Sequence, residues 1–169
     1  MPASQQLIFV GGAPSVGKSA TCDLLYPRLP DSIYLDADDL WCKMNPWRVN
    51  DSTRTMIEES ITAVLRRYLR AGIHYPILCW VLHTQELIDR LVGTLGDMDF
   101  SFRSFTLVCE DEELRRRWAS GNRSQGSADH ACLRLSQTRL LTNTCVVDTT
   151  NLSPDGAADA IVEQLGAAQ

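Results

Sequence analysis

A chain of 169 residues with 44% hydrophobic content has the size of one ordinary globular domain and enough apolar side chains for a proper core, so no second domain is expected over 1–169. Its net charge of −5 excludes a general nucleic-acid or membrane-surface binder, because the one basic run, Arg115-Arg116-Arg117, lies in a mixed-charge segment that a solvated helix face explains. The segment from Met1 to Gln6 lacks the basic and apolar regions of a secretory signal and no apolar run nears membrane-spanning length, which predicts a cytoplasmic protein without membrane contact.

Leu7-Ile8-Phe9-Val10 has strand character, and Ala20 to Leu25 opens a helix that places Leu24, Leu25 and Leu29 on one side. Between them, Gly12-Ala13-Pro14-Ser15-Val16-Gly17-Lys18-Ser19 fits the phosphate-binding pattern G-x-x-x-x-G-K-[ST] at every fixed position. The chemistry follows from the backbone. Amide N–H groups of the loop and of the first helical turn face an anion, the helix dipole adds positive charge there, and the two glycines permit conformations a side chain would block. Gly12 to Ala20 is therefore the candidate nucleotide site, with Lys18 reaching the β- and γ-phosphates of ATP and the Ser19 hydroxyl ligating Mg²⁺. A loop that binds phosphate without chemistry is the plainer reading.

Ile33-Tyr34-Leu35 predicts a second strand ending in Asp36-Ala37-Asp38-Asp39, on the strand edge where α/β folds take ligands. Leu40 to Trp47 then predicts a short helix stopped before Pro46, whose Trp41 and Trp47 suit either the core or a substrate-pocket wall. Asp51-Ser52-Thr53 supplies caps for a long helix ending at Gly72, with Ile57, Ile61, Val64, Leu65, Tyr68 and Leu69 on its packing face. The apolar run Tyr75 to Leu82 suits a strand covered on both faces, and it leads to His83, a substrate contact or a structural histidine. Leu87 to Leu95 predicts a helix, and Phe102 to Cys109 a fourth strand. Asp111-Glu112-Glu113 begins a helix that runs into the polar, glycine-bearing stretch 120–127. A helix through Leu133, Leu135 and Leu140, a strand over Thr144–Asp148, and a last helix with Ile161, Val162 and Leu165 complete the chain. The six cysteines have neither C-x-x-C nor zinc spacing and read as structural. Strands alternating with helices predict a parallel sheet with right-handed crossovers.

Transfer of a γ-phosphate requires the phosphates held, their charge neutralised and an acceptor hydroxyl placed near a base. Asp36 and Asp38, two residues apart, divide into a metal-side acid and a base, although helix capping would also account for acids here. Arg117 and Arg123 flank the 120–127 stretch and are placed to close over the phosphates, unless they pair with Glu112 or Glu113.

Together the Gly12–Ser19 loop, the Asp36-x-Asp38 pair, the Arg117 to Arg123 stretch and Val147-Asp148-Thr149-Thr150-Asn151 resemble the small P-loop kinases of the nucleoside-monophosphate-kinase fold, most of all the chloramphenicol phosphotransferase and shikimate kinase groups. The resemblance spans nearly the whole chain. It implies a five-stranded α/β/α sheet of order 2-3-1-4-5, a short lid at about 119–128, Asp38 at the base position, Asp36 as the metal-side acid, Arg117 and Arg123 as lid arginines, and the Asp148–Pro154 loop beside the adenine. One departure is that the third strand ends without the acid of a standard Walker B element, so magnesium would depend on Ser19, Asp36 and water. The reaction so implied is transfer of the ATP γ-phosphate to a hydroxyl of a small molecule, such as an antibiotic or other natural product. A nucleoside or nucleotide kinase and a non-catalytic ATP-binding regulatory protein are the alternatives, and monomer and homo-oligomer both stay open.

Overall fold

The computed structural model describes residues 5–121 and 126–166. Five strands, β1 (Gln6–Gly12), β2 (Ser32–Asp36), β3 (Tyr75–Cys79), β4 (Ser101–Val108) and β5 (Cys145–Asp148), form one parallel sheet in the order β2-β3-β1-β4-β5. Six α-helices, α1 (Lys18–Leu25), α2 (Asp51–Arg70), α3 (Gln85–Gly93), α4 (Asp111–Ser120), α5 (Ala128–Thr138) and α6 (Pro154–Gly166), connect and cover it.

Period-2 alternation along the strands divides the interior into two cores. On one face Ile8 and Val10 of β1, Ile77 and Cys79 of β3 and Phe105 and Leu107 of β4 meet Cys22 and Leu25 of α1, Leu135 of α5 and Ile161 and Leu165 of α6. On the other, Leu7 and Phe9 of β1 and Leu78 of β3 meet Ile57, Ile61, Leu65 and Leu69 of α2 and Leu87, Ile88 and Leu91 of α3. Each fully buried Leu, Ile or Phe side chain contributes about 1.5–3 kcal/mol, so the two layers cover the sheet on both faces and leave its carboxyl edge to carry polar groups. Register sets that edge: Asp36 lies opposite Cys79, Cys79 opposite Val10, and Gly12 opposite Leu107.

Several local expectations change. The helix expected over Leu40–Trp47 is absent; a single 3₁₀ turn, Ala37–Leu40, starts earlier because the Asp36 carboxylate accepts the Asp38 N–H, and it ends where Trp41 leaves helical geometry. In α1 the buried positions are Lys18, Thr21, Cys22 and Leu25, while Leu24 is exposed, since the helix begins at Lys18 and its phase turns Leu24 outward. In α5 Ala131, Leu135 and Thr138 are buried, whereas Leu133, and Leu140 just beyond the helix end, face solvent. The cap of α2 is Asn50, in a reciprocal capping box with Thr53, and β3 stops at Cys79, short of Leu82. No helix among the described residues is long and apolar enough to cross a membrane. The stretch expected as a lid over 119–128 comprises the end of α4, the N-cap of α5 and residues 122–125; Arg123 lies outside the described residues.

Candidate nucleotide and acceptor site

The loop between β1 and α1 is shaped by its glycines. Gly12 has φ of +145°, and a Cβ there would stand 2.7 Å from the Leu107 carbonyl oxygen and 2.8 Å from Val16 Cγ1. Close contact with β4 thus excludes every residue but glycine. Gly17, at φ +106°, caps α1 without a side-chain hydrogen bond, so backbone amides alone present the helix start. Ala13 and Val16 are buried beneath the loop, Pro14, Ser15 and Gly17 are half-buried, and Ser19 and Ala20 are exposed. Lys18 is 8% exposed, and its ammonium donates to the Ala13 carbonyl at 2.9 Å, bent back over the loop that its own positive charge complements.

The two aspartates have different surroundings. Asp36 Oδ2 accepts the Ser19 hydroxyl at 2.6 Å and the Tyr34 phenol at 3.0 Å, while Oδ1 accepts the Asp38 N–H at 3.0 Å. Among the described residues the Asp38 carboxylate has no hydrogen-bond partner, and it stands half-buried in the 3₁₀ turn just beyond the strand end. Ser19 and Asp36 bring two hard oxygen donors together, and among the described residues no cluster of three or more His, Cys, Asp or Glu forms a closed metal cage. That donor set fits Mg²⁺, which keeps water and substrate phosphates in most of its coordination positions.

Arg117 is fixed from three sides. Its Nη1 donates to the Val16 carbonyl at 2.9 Å and to Thr149 Oγ1 at 3.0 Å, Nη2 donates to the Thr149 carbonyl, and Nε donates to Glu113 at 2.6 Å. The side chains of Arg116 and Arg117 push the Glu113 carboxyl down to about 2. Thr149 is itself buried and bound to the Val108 carbonyl through both its N–H and its hydroxyl, and Asp148 holds the next turn by accepting from Thr150. The result is a cavity of about 460 Å³ beside the loop, lined by Val16, Gly17, Thr21, Arg116, Arg117 and the segment Thr149 to Pro154. Its volume lies in the range of pockets for small organic ligands.

Across the edge, His83, in the β3–α3 connection, donates from Nδ1 to the Val81 carbonyl at 3.1 Å. Burial, with the Arg134, His130 and Arg54 charges, holds its imidazole below the ordinary range; burial and Arg54 likewise lower Arg134. Arg134 donates to Gln137 and is in no ion pair with a described residue. Trp41 packs on the α2 core and Trp47 is exposed, with ring centroids 5.8 Å apart, and Trp41 Nε1 is buried without a partner among the described residues. The first tryptophan therefore serves the core while keeping an unanswered donor. Sequence reading singled out His83 and the aspartates but missed Arg134, His130, Tyr34 and the latch role of Thr149. An arginine on a polar helix such as α5 carries no local signal of which neighbours it will face.

No family model matches the sequence, and no curated protein matches it. Among solved structures, the chain is similar to the tunicamycin resistance protein of Deinococcus radiodurans, at TM-score 0.75 and 22% identity over 96% of both chains. It is similar to a gluconokinase from Sinorhizobium meliloti 1021, at TM-score 0.67 and 14% identity over 97% of both chains. The APS kinase of Mycobacterium tuberculosis, solved with AMPPNP and APS, superposes at TM-score 0.66 and 16% identity, over 98% of this chain and 99% of that one. At these identities the likeness is one of fold.

Proposed function

We propose that this chain, which has the fold of the small P-loop kinases, transfers the γ-phosphate of ATP to a hydroxyl group of a small molecule. The observation that carries the reading is the convergence at one sheet edge of the Gly12–Ala20 loop, the Ser19–Asp36 pair and the unengaged Asp38 carboxylate.

In this reading the adenosine end of ATP occupies the cavity beside Arg117 and Thr149–Pro154, and the loop amides and Lys18 hold the phosphates. Ser19 and Asp36 hold Mg²⁺, which neutralises phosphate charge when bound. Asp38 takes the proton of the acceptor hydroxyl as its oxygen bonds to the γ-phosphorus and the bond to the β–γ bridging oxygen breaks, releasing ADP. Arg123 is proposed as a second cation over the phosphates, with Arg117 anchoring the nucleotide wall. The Arg54 and Arg134 guanidiniums near His83, Arg54 paired with Asp51 and Arg134 in no ion pair with a described residue, favour an acceptor that carries an anionic group as well as its hydroxyl. The same cations favour, as a second reading, a nucleotide kinase whose acceptor presents a phosphate.

The test is ADP release from ATP across a panel of hydroxyl compounds, antibiotics, sugar acids and nucleotides, with Asp38→Asn alongside. Acceptor-dependent release that falls about a hundredfold in Asp38→Asn, with ATP affinity kept, supports the reading. Acceptor-dependent release unchanged in the variant removes Asp38 as the base; ATP bound tightly with no release on any acceptor favours the non-catalytic alternative.

A further inference from the structure

We propose that Tyr34 is a positioning residue for the metal of the nucleotide site, its phenol holding the Asp36 carboxylate against Ser19. The inference rests on the reading of Ser19 and Asp36 as the metal-side pair. Tyr34 and Asp36, two residues apart on β2, project from the same face of the strand toward the core that contains α1, while Leu35 between them enters the opposite core. The Tyr34 phenol donates to Oδ2 of Asp36 at 3.0 Å, the oxygen that also accepts the Ser19 hydroxyl at 2.6 Å.

The three donors to this carboxylate are not equivalent. The Asp38 N–H grips the other oxygen, Oδ1, and leaves Oδ2 to be held by Ser19 and Tyr34. Ser19 shares its oxygen with any cation it ligates, so its hydrogen bond is the one that metal entry disturbs. Among the described residues, only the Tyr34 contact fixes Oδ2 independently of the metal. Where a Walker B acid would end the third strand stands Cys79, opposite Asp36 in register and with its sulfur 4.0 Å from Ser19 Oγ. A thiol is a weak hydrogen-bonding group, and this one also pairs with the Cys22 thiol, so it gives the carboxylate no comparable support. Stacking of the Tyr34 ring against Tyr26, with centroids 6.1 Å apart, sets the direction from which the hydroxyl arrives.

Hydrogen-bond partners of metal-site carboxylates typically govern metal affinity by ten- to a hundredfold. Tyr34→Phe keeps the ring and removes only the donor. Titration of the protein–ADP complex with Mn²⁺, free ion followed by electron paramagnetic resonance, should show affinity about 10-fold weaker in Tyr34→Phe, with metal-free ADP affinity unchanged and turnover restored at saturating Mn²⁺. Asp36→Asn is titrated in parallel. If Asp36→Asn binds Mn²⁺ more weakly and Tyr34→Phe matches the wild type, the positioning role is overturned and the metal-side reading stands. If both variants match the wild type, the metal-side reading itself fails, and if Tyr34→Phe also loses metal-free ADP, Tyr34 supports the loop as a whole and the inference is wrong.

Discussion

Arg117 reaches 101 residues back along the chain to donate to the Val16 carbonyl at 2.9 Å, tying α4 to the underside of the phosphate-binding loop. The same guanidinium binds the Thr149 hydroxyl and carbonyl, so one planar group joins three separate segments around one cavity. A guanidinium suits this because its donors are fixed in a fork, which an ammonium cannot reproduce.

Arg117→Lys keeps the charge but loses at least two of these bonds. Calorimetric titration with ADP should show affinity weakened about 10-fold or more, in line with loss of charge-assisted hydrogen bonds of about 1.5–3 kcal/mol. Amide hydrogen exchange over Thr149–Ser153 should quicken in the same variant. Unchanged exchange there would mean that the loop is held without the arginine.

Gly12 and Gly17 make a matched pair for separating steric from conformational constraint. At Gly12 an added methyl meets the Leu107 carbonyl oxygen and Val16, on top of the positive φ, whereas at Gly17 no described residue beyond its chain neighbours comes within 4 Å of it and the φ of +106° is what resists. Gly12→Ala should cost more than the roughly 1–3 kcal/mol of backbone strain alone, and Gly17→Ala should stay within that range. Chemical denaturation monitored by circular dichroism checks the order, and equal losses would contradict the close approach of β1 to β4.

His83 supplies the pH dependence. Its folded imidazole is held below the ordinary 6.5 by burial and by the Arg134, His130 and Arg54 charges, so as pH falls through about 6.5 the unfolded chain takes up this proton before the folded one does. Its contribution is accordingly fully retained above that pH and lost as pH falls toward the lower folded value. Thermal midpoints measured from pH 8 to pH 5 should decline, and His83→Gln should flatten part of the decline. Inorganic sulfate should raise the wild-type midpoint at the acid end, because an anion stabilises the protonated cluster, and should raise that of Arg134→Gln less. A decline that is identical in His83→Gln would assign it to other groups.

The strand, loop and first helix were legible in the sequence because each depends on neighbours within about a dozen residues: the apolar run Leu7 to Val10, two glycines at fixed spacing, and the lysine and serine that follow. Asp36 and Asp38 were legible as a pair at a strand end, and the resemblance implied different roles for them, yet the difference in their surroundings was not legible, since it comes from Ser19 and Tyr34 on one carboxylate and, among the described residues, no donor on the other. The expected helix over Leu40–Trp47 failed for a local reason, a side-chain cap two residues upstream that began a 3₁₀ turn earlier than the apolar pattern suggested.

By itself the sequence determined the parallel α/β plan and the phosphate-binding loop, because hydrophobic period and loop glycines act at short range. Only the tertiary structure decided that Arg117 braces the loop from α4, that Asp36 faces Ser19 while Asp38 stays open, and that Arg134 and His83 share a region of positive charge. Those relations join segments tens of residues apart, and their distances exist only once both apolar layers have closed on the sheet and fixed the strand register.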